Sequence, residues 1–350
     1  MKINFAIQRI VGILAMFVPL YTQAYPGESI VLDPITGNYT ITYWDTEEPA
    51  SLERTTFVPA TKIKPIIFSK FTINGSNLVT YSYTMSNGKS AKDAIVGLSL
   101  EQVGQIANVR SLPLETTANP NDVERIFFAN RAAIVSPENW SGNIVRIDEL
   151  SRVAWQPDEL KTGGTRAGRI TAGFGFSSSS LPGISSAQME GMGRVFGYAG
   201  DGPPADSAIN DELDRLRKND FVARPAAVPA ISVPTPFNAA VLIDRIQAQM
   251  HTWIAMQLLD ATFSSQLDRY LTAAANAYRL NQPKAGKEHI QTLRKMLKKE
   301  HEDADKDDEK EDGKHEGKSD DKNKRIPIDR LAARVLDFDL KYVLKRMGDD

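Results

Sequence analysis

Four histidines, His251, His289, His301 and His315, are the chain's whole supply of imidazole. None belongs to a His-Glu-x-x-His pair, and neither a Gly-x-Ser-x-Gly elbow nor a P-loop occurs. Because all four follow the first 205 residues, a Ser-His-Asp triad within that front part is excluded. Carboxylates remain: Asp45, Glu47, Glu48, Asp148, Glu149 and Glu190 could supply the acid pair that glycoside hydrolysis requires. Trp44, Trp140 and Trp155 could offer faces on which a sugar stacks, although core or loop-anchoring tryptophans have the same sequence appearance. In the acidic run, Asp303, Asp305 and Asp307 alternate as calcium ligands do. The turn position holds Asp308 instead of glycine, however, and the twelfth holds Lys314 instead of Glu, so an EF-hand is not formed. Gly173-Phe-Gly175 and Gly191-Met-Gly193 lack the strand–turn–helix frame of dinucleotide binding and read as turn or bulge glycines. No residue is therefore assigned a catalytic, cofactor-binding or metal-binding role, and no cofactor is expected.

The elements that would position these groups change character along the chain. From Ile66 to Leu100, runs with a period of two are separated by Asn74-Gly75-Ser-Asn77 and Ser86-Asn87-Gly88. In the middle run Val79, Tyr81, Tyr83 and Met85 share a side, which predicts antiparallel strands with one face on a core. Tyr39–Trp44 alternates likewise, with Tyr39, Ile41 and Tyr43 on one face. Ile170, Ala172, Phe174 and Phe176 are expected to share a face, the glycines between them marking close approach or a bulge. Asp45–Lys64, the stretch containing Trp140 and Trp155, Ser177–Gly183 and Gly191–Gly202 read as loops. Glu124–Val135 reads as a strand pair and Arg194–Tyr198 as a last strand. Residues 25–205 are thus expected to form a β-sandwich.

A short helix over Asp206–Asp220 follows, with Ile209, Leu213 and Leu216 in register. Pro225, Pro229, Pro234 and Pro236 then mark 223–237 as a semi-rigid linker, so that 206–237 separates two domains. Behind it the period becomes 3.6. Leu242, Ile246, Met250, Trp253, Met256 and Leu259 form one stripe, and Phe263, Leu267, Leu271, Ala274 and Tyr278 a second, with Ser264 as its cap. Pro283 opens a third helix with Ile290, Leu293 and Leu297. A fourth starts near Pro327, with one row through Leu331, Val335, Phe338 and Tyr342 and another through Leu336, Leu340, Val343 and Met347. Residues 238–350 are expected to be a small all-α antiparallel bundle. Residues 300–325 hold 12 acids and 7 Lys or Arg with nothing apolar larger than Ala304. Such a run cannot bury enough surface to offset its ordering entropy, so a disordered charged insertion is expected there.

Leu267-Asp-Arg-Tyr-Leu271, Glu288-His-Ile-Gln-Thr-Leu-Arg-Lys-Met-Leu297 and Ile328-Asp-Arg-Leu-Ala-Ala-Arg-Val-Leu336 together resemble FIMAH, a small helical module at the C-termini of exported bacterial proteins. The resemblance spans about 80 of the 350 residues, and the charged insertion departs from the module's short turn. It implies a bacterial extracellular protein with an accessory domain, and carries over no catalytic residue.

The N-terminus agrees. Lys2 and Arg9, the apolar run Ile10–Leu20 and Thr22-Gln23-Ala24 have the grammar of a secretory signal peptide spanning residues 1–24. The run is shorter than the roughly 20 residues of a membrane span, so none is expected in the mature chain. The chain contains no cysteine, which excludes thiol nucleophiles, thiolate metal sites and disulfides. Losing Lys2 and Arg9 takes the formal charge from −2 to about −4, too acidic a balance to attract nucleic acid. The expected function is that of an exported (periplasmic, cell-surface or extracellular) non-catalytic binding protein whose partner is a glycan or a surface protein. The alternative is a carbohydrate-active hydrolase using paired carboxylates of the β domain.

Overall fold

The computed structural model describes residues 25–45, 51–74, 77–110, 120–147, 150–160, 163–195, 203, 207–218, 220–308 and 327–348. The expected signal peptide, Glu47, Glu48, Asp148, Glu149, His315 and the remainder of the charged run, 309–326, lie outside them. In chain order the strands begin β1 (Ser29–Leu32), β2 (Tyr39–Trp44), β3 (Leu52–Val58), β4 (Pro65–Ile73), β5 (Val79–Asn87) and β6 (Ile95–Val103). Helix α1 (Pro120–Arg131) precedes β7 (Ile134–Val135), β8 (Trp140–Ile147), β9 (Leu150–Pro157), β10 (Ile170–Ser178), β11 (Leu181–Gly191) and β12 (Arg194–Val195). Helix α2 (Ala208–Lys218), β13 (Val222–Ile231), α3 (Ala239–Ala255), α4 (Ala261–Arg279), α5 (Pro283–Asp308) and α6 (Arg330–Arg346) follow.

Two compact units result. The smaller combines the residues up to Pro59 with Arg194–Asn219, and the larger combines Ala60–Gly193 with Asp220–Asp350. In the smaller, a sheet of order β1-β2-β3-β12 is covered by α2. Ile41, Tyr43 and Phe57 pack there with Ile209 and Leu213, as the alternation in β2 and the spacing in α2 predict. The Ser207 hydroxyl accepts from the Ile209 N–H at 3.1 Å, which starts α2. The expected loop 45–64 contains β3, which pairs with β2 from Tyr39↔Phe57 to Trp44↔Leu52.

The larger unit is a β-sandwich of a sheet β4-β5-β10-β7 and a sheet β13-β11-β6-β9-β8, with helices α3–α6. Val79, Tyr81, Tyr83 and Met85 of β5 are all buried, as period-two patterning requires. Opposite them lie Leu98, Leu100, Val153, Trp155 and Met189 of the second sheet, in one core with the helices. Trp155 stacks on Phe176 at 6.3 Å and meets Phe174 edge-on at 5.6 Å.

Several expectations are corrected. Ile170 and Ala172 do not join Phe174 and Phe176 in the core. Gly173 (φ 103°) forms a bulge between Ala172 and Phe174, which moves everything before it to the other face and leaves Ile170 69% exposed. The expected strand pair at 124–135 is α1, with only Ile134–Val135 extended. The Asn130 amide fixes its end, accepting from the Arg110 N–H and donating to the Arg110 carbonyl, both at 2.8 Å. The expected loops around Trp140 and Trp155 and after Ser180 are β8, β9 and β11. The proline-marked linker is largely β13, paired antiparallel to β11 with Ala226, Ala227 and Val228 fully buried. Its prolines are tolerated because β13 is last in its sheet. Its outer side is met by β4 through individual bonds: Ala227 N–H donates to Ser69 Oγ at 3.0 Å, and Arg224 Nε to the Pro65 carbonyl at 3.2 Å.

The helices follow their predicted stripes, with caps that differ in one case. Asp260, not Ser264, caps α4, accepting from the Thr262 and Phe263 N–H groups at 2.8 and 3.3 Å, whereas Ser264 is buried. Asn238 caps α3 and Asp329 caps α6. Helix α5 continues to Asp308, into the charged run. Arg294 and Lys341 hold Asp337 between α5 and α6 at 2.8 and 2.6 Å. Burial raises that carboxyl, but the two cations outweigh it and leave it below its usual range.

Candidate functional site

The described candidates for sugar chemistry fall in both units. Trp140 and Trp155 are buried in the sandwich core, so neither presents a stacking face. Trp44 lies in the smaller unit, where its Nε1 donates to the Pro26 carbonyl at 2.8 Å and anchors a turn. Asp45 also belongs to the smaller unit, and Glu190 to the larger. On the bundle surface His251 Nε2 meets Asp268 at 2.8 Å. Among the described residues, no group of three or more metal-ligating side chains is gathered, and no helix is long and apolar enough to cross a membrane.

Glu190 borders a depression of about 310 Å³ on the outer face of the β13-β11-β6-β9-β8 sheet. The face is polar because every second residue points outward: Gln188 and Glu190 on β11, Ser99 on β6, Arg152 and Gln156 on β9, Asn143 on β8. Partial burial raises the Glu190 carboxyl above its usual range against the pull of Arg152, and Asp220 adds to the rise. Arg152 Nε donates to Ser99 Oγ at 3.0 Å and stands 3.8 Å from Glu101. The neighbouring acids are engaged in holding the backbone. Asp220 accepts from the Ala60 and Thr61 N–H groups at 2.7 and 3.1 Å, and Asp93 from those of Ala94 and Met192 at 2.8 and 3.0 Å. A hydrolytic partner for Glu190 is not assembled among the described residues.

A larger cleft, about 920 Å³, lies at the other end of β11. The β10–β11 turn contributes Ser179 and Ser180, β11 contributes Ser185 and Ser186, α3 contributes Gln249 and Thr252, and α6 contributes Tyr342 and Arg346. Apolar patches from Ile184, Val228 and Val233 alternate with these polar groups. The rim is fixed by its own hydrogen bonds. The Ser180 carbonyl accepts from Tyr81 Oη at 2.9 Å, and the Ser180 N–H donates to Ser178 Oγ at 3.0 Å. Gln249 Nε2 donates to the Ile184 carbonyl at 3.2 Å, tying α3 to β11. Burial, aided by Tyr83 and Asp339, holds the Tyr81 phenol well above its usual range, so it stays a donor.

Sequence reasoning did not single out this cleft. Its groups are hydroxyls and amides, common at any surface, and they come from positions as far apart as 179 and 346. The one local signal was the double row on α6: a helix that buries two sides brings Tyr342 to the edge of the core.

No family model matches the chain, and no curated protein matches it. Among solved structures the chain is similar to a crystal structure of an uncharacterized protein from Nocardia farcinica, described as revealing an immunoglobulin-like fold. The two are 16% identical over 40% of this chain and 91% of that one, with a TM-score of 0.23. The sandwich described above rests on its own strand pairing.

Proposed function

We propose that this is an exported, non-catalytic binding protein whose ligand occupies the cleft between β11, α3 and α6. The observation that carries this reading is the chemistry of the lining: serine, threonine, amide and tyrosine groups with the Arg346 guanidinium, and no carboxylate, imidazole or amine among the described residues. Acid–base catalysis needs a group that exchanges a proton near the working pH, and a serine without a neighbouring base is a weak nucleophile. A volume of about 920 Å³ with apolar patches and a few convergent polar groups suits a bound ligand. Export is supported by the Lys2, Arg9 and Ile10–Ala24 pattern, and a bacterial surface or extracellular setting by the FIMAH-like helical motifs between Leu267 and Leu336.

The test is a panel of immobilised glycans and surface proteins probed with the chain from Tyr25 to Asp350, with product release followed in parallel. Retention without turnover is expected. Release of reducing ends from any retained glycan overturns the reading.

A further inference from the structure

We propose that the ligand of this cleft is an oligosaccharide bearing a carboxylate, a uronate-containing glycan, with the carboxylate on Arg346 and a sugar hydroxyl on Tyr342. This deepens the binding reading above and rests on it.

Three observations converge. Among the described residues Arg346 is the one charged side chain lining the cleft. Its guanidinium is held 4.9 Å over the Phe237 ring, which fixes a planar fork while leaving its edge N–H groups to bind. A fixed fork of this kind matches a planar carboxylate in two parallel hydrogen bonds. Tyr342 stands one helical turn before Arg346 on the same face of α6, in the cleft wall. Its side chain is only 6% exposed, and its hydroxyl is not among the buried atoms that lack a partner, so it opens into the cleft. A phenol with an apolar body in the core and a hydroxyl at a cleft wall can give that hydroxyl to a ligand. Lastly, β11 and β13 are paired with each other along the cleft, from Ile184↔Ala227 to Gly183↔Val228. The backbone groups that face each other are therefore occupied, so an extended peptide cannot insert between these two strands. What remains available is side-chain hydroxyl and amide groups beside small apolar patches, which suits the polar rim and apolar face of a pyranose.

The experiment is calorimetric titration of the chain from Tyr25 to Asp350 with galacturonate, glucuronate and mannuronate oligomers. Each is compared with its methyl ester, which keeps the shape and removes the charge, and with a sulfated glucan of similar length. At least one uronate oligomer is expected to bind, about tenfold or more tighter than its ester. Arg346→Gln should bring the acid down to the affinity of the ester and leave the ester unchanged, since both remove the same contact. Tyr342→Phe should weaken acid and ester alike at unchanged melting temperature. Failure of all three uronates overturns the proposal, as does equal affinity for acid and ester, tighter binding of the sulfated glucan, or indifference to Arg346→Gln. A neutral glycan or a peptide that binds and is displaced by mutation in this cleft would sink the uronate assignment while leaving the binding function standing. Turnover of a bound glycan would instead sink the binding reading itself.

Discussion

Two depressions of the larger unit use their polar groups in opposite ways. Around Glu190 the charged side chains are spent on the protein itself. Asp220 and Asp93 each clasp two backbone N–H groups, and Arg152 is tied to Ser99 beside Glu101. In the cleft beside α6 the walls are fastened by backbone carbonyls and one glutamine amide, and among the described residues Tyr342 and Arg346 are engaged in no hydrogen bond or ion pair that fastens them. Asp93, Asp220 and Arg152 are thus a weak sign of function, because each already has a partner in the protein. An uncommitted neutral group in a fixed wall is a better sign, because its hydrogen bond remains to be made.

The sharpest way to break this comparison is to test whether the tryptophans are ligand groups after all. Trp155→Ala should cost about 3–5 kcal/mol, as removal of a large side chain from a packed core does, read from urea denaturation. A stable variant with lost glycan binding would return Trp155 to the surface role and reverse the contrast.

Next in size is Asp220→Ala, which leaves the Ala60 and Thr61 N–H groups without their acceptor. A loss of about 1–3 kcal/mol is expected, with ligand binding in the α6 cleft unchanged. A stability loss below a few tenths of a kcal/mol would show that this carboxylate is no fastener.

A third carboxylate sharpens the contrast further. Asp339 is completely buried on α6, and among the described residues neither of its oxygens has a hydrogen-bond partner. Burial holds its carboxyl well above the usual range, so the folded protein keeps a proton that the unfolded chain releases near pH 4. Its contribution is fully present below the unfolded value and is lost as pH rises toward the folded one. Asp339→Asn should therefore melt higher than the parent at pH 8, and the difference should shrink toward pH 4. A difference that grew toward pH 4 would mean that Asp339 is ionised and paired.

The smallest effect is expected where composition leaves least to bury. Removing Glu309–Asn323 should shift stability by no more than about 0.5 kcal/mol in thermal melts. Limited proteolysis should cut within 309–326 before it cuts 223–231, since β13 is paired and buried. Early cleavage in 223–231 would restore the linker reading of the prolines.

How far the sequence could be read depended on whether a pattern was local. The alternation through Val79–Met85 gave the correct buried face, and the stripes from Leu242 and from Leu331 placed α3 and α6, although α3 ends at Ala255 and Leu259 lies beyond it. The pattern of β9 was equally regular, with Ser151, Val153 and Trp155 inward. It was obscured because the outward Arg152 and Gln156 resemble loop residues. At Gly173 one inserted residue reversed the facing of Ile170 and Ala172, a shift that alternation alone cannot register.

The chain's own residue order settles the broad division into pleated and helical regions, the absence of thiol chemistry, and the lack of a histidine-based triad in the front part. These follow from residue inventory and from periodicity, which a side chain imposes on its immediate neighbours. Only the folded arrangement decides that Pro225 and Pro229 lie in a strand, that Trp140 and Trp155 are core, and that Ser180, Gln249 and Tyr342 share one wall. Those outcomes depend on pairing between segments far apart in the chain, where the free energy comes from shared burial and is invisible in any single stretch.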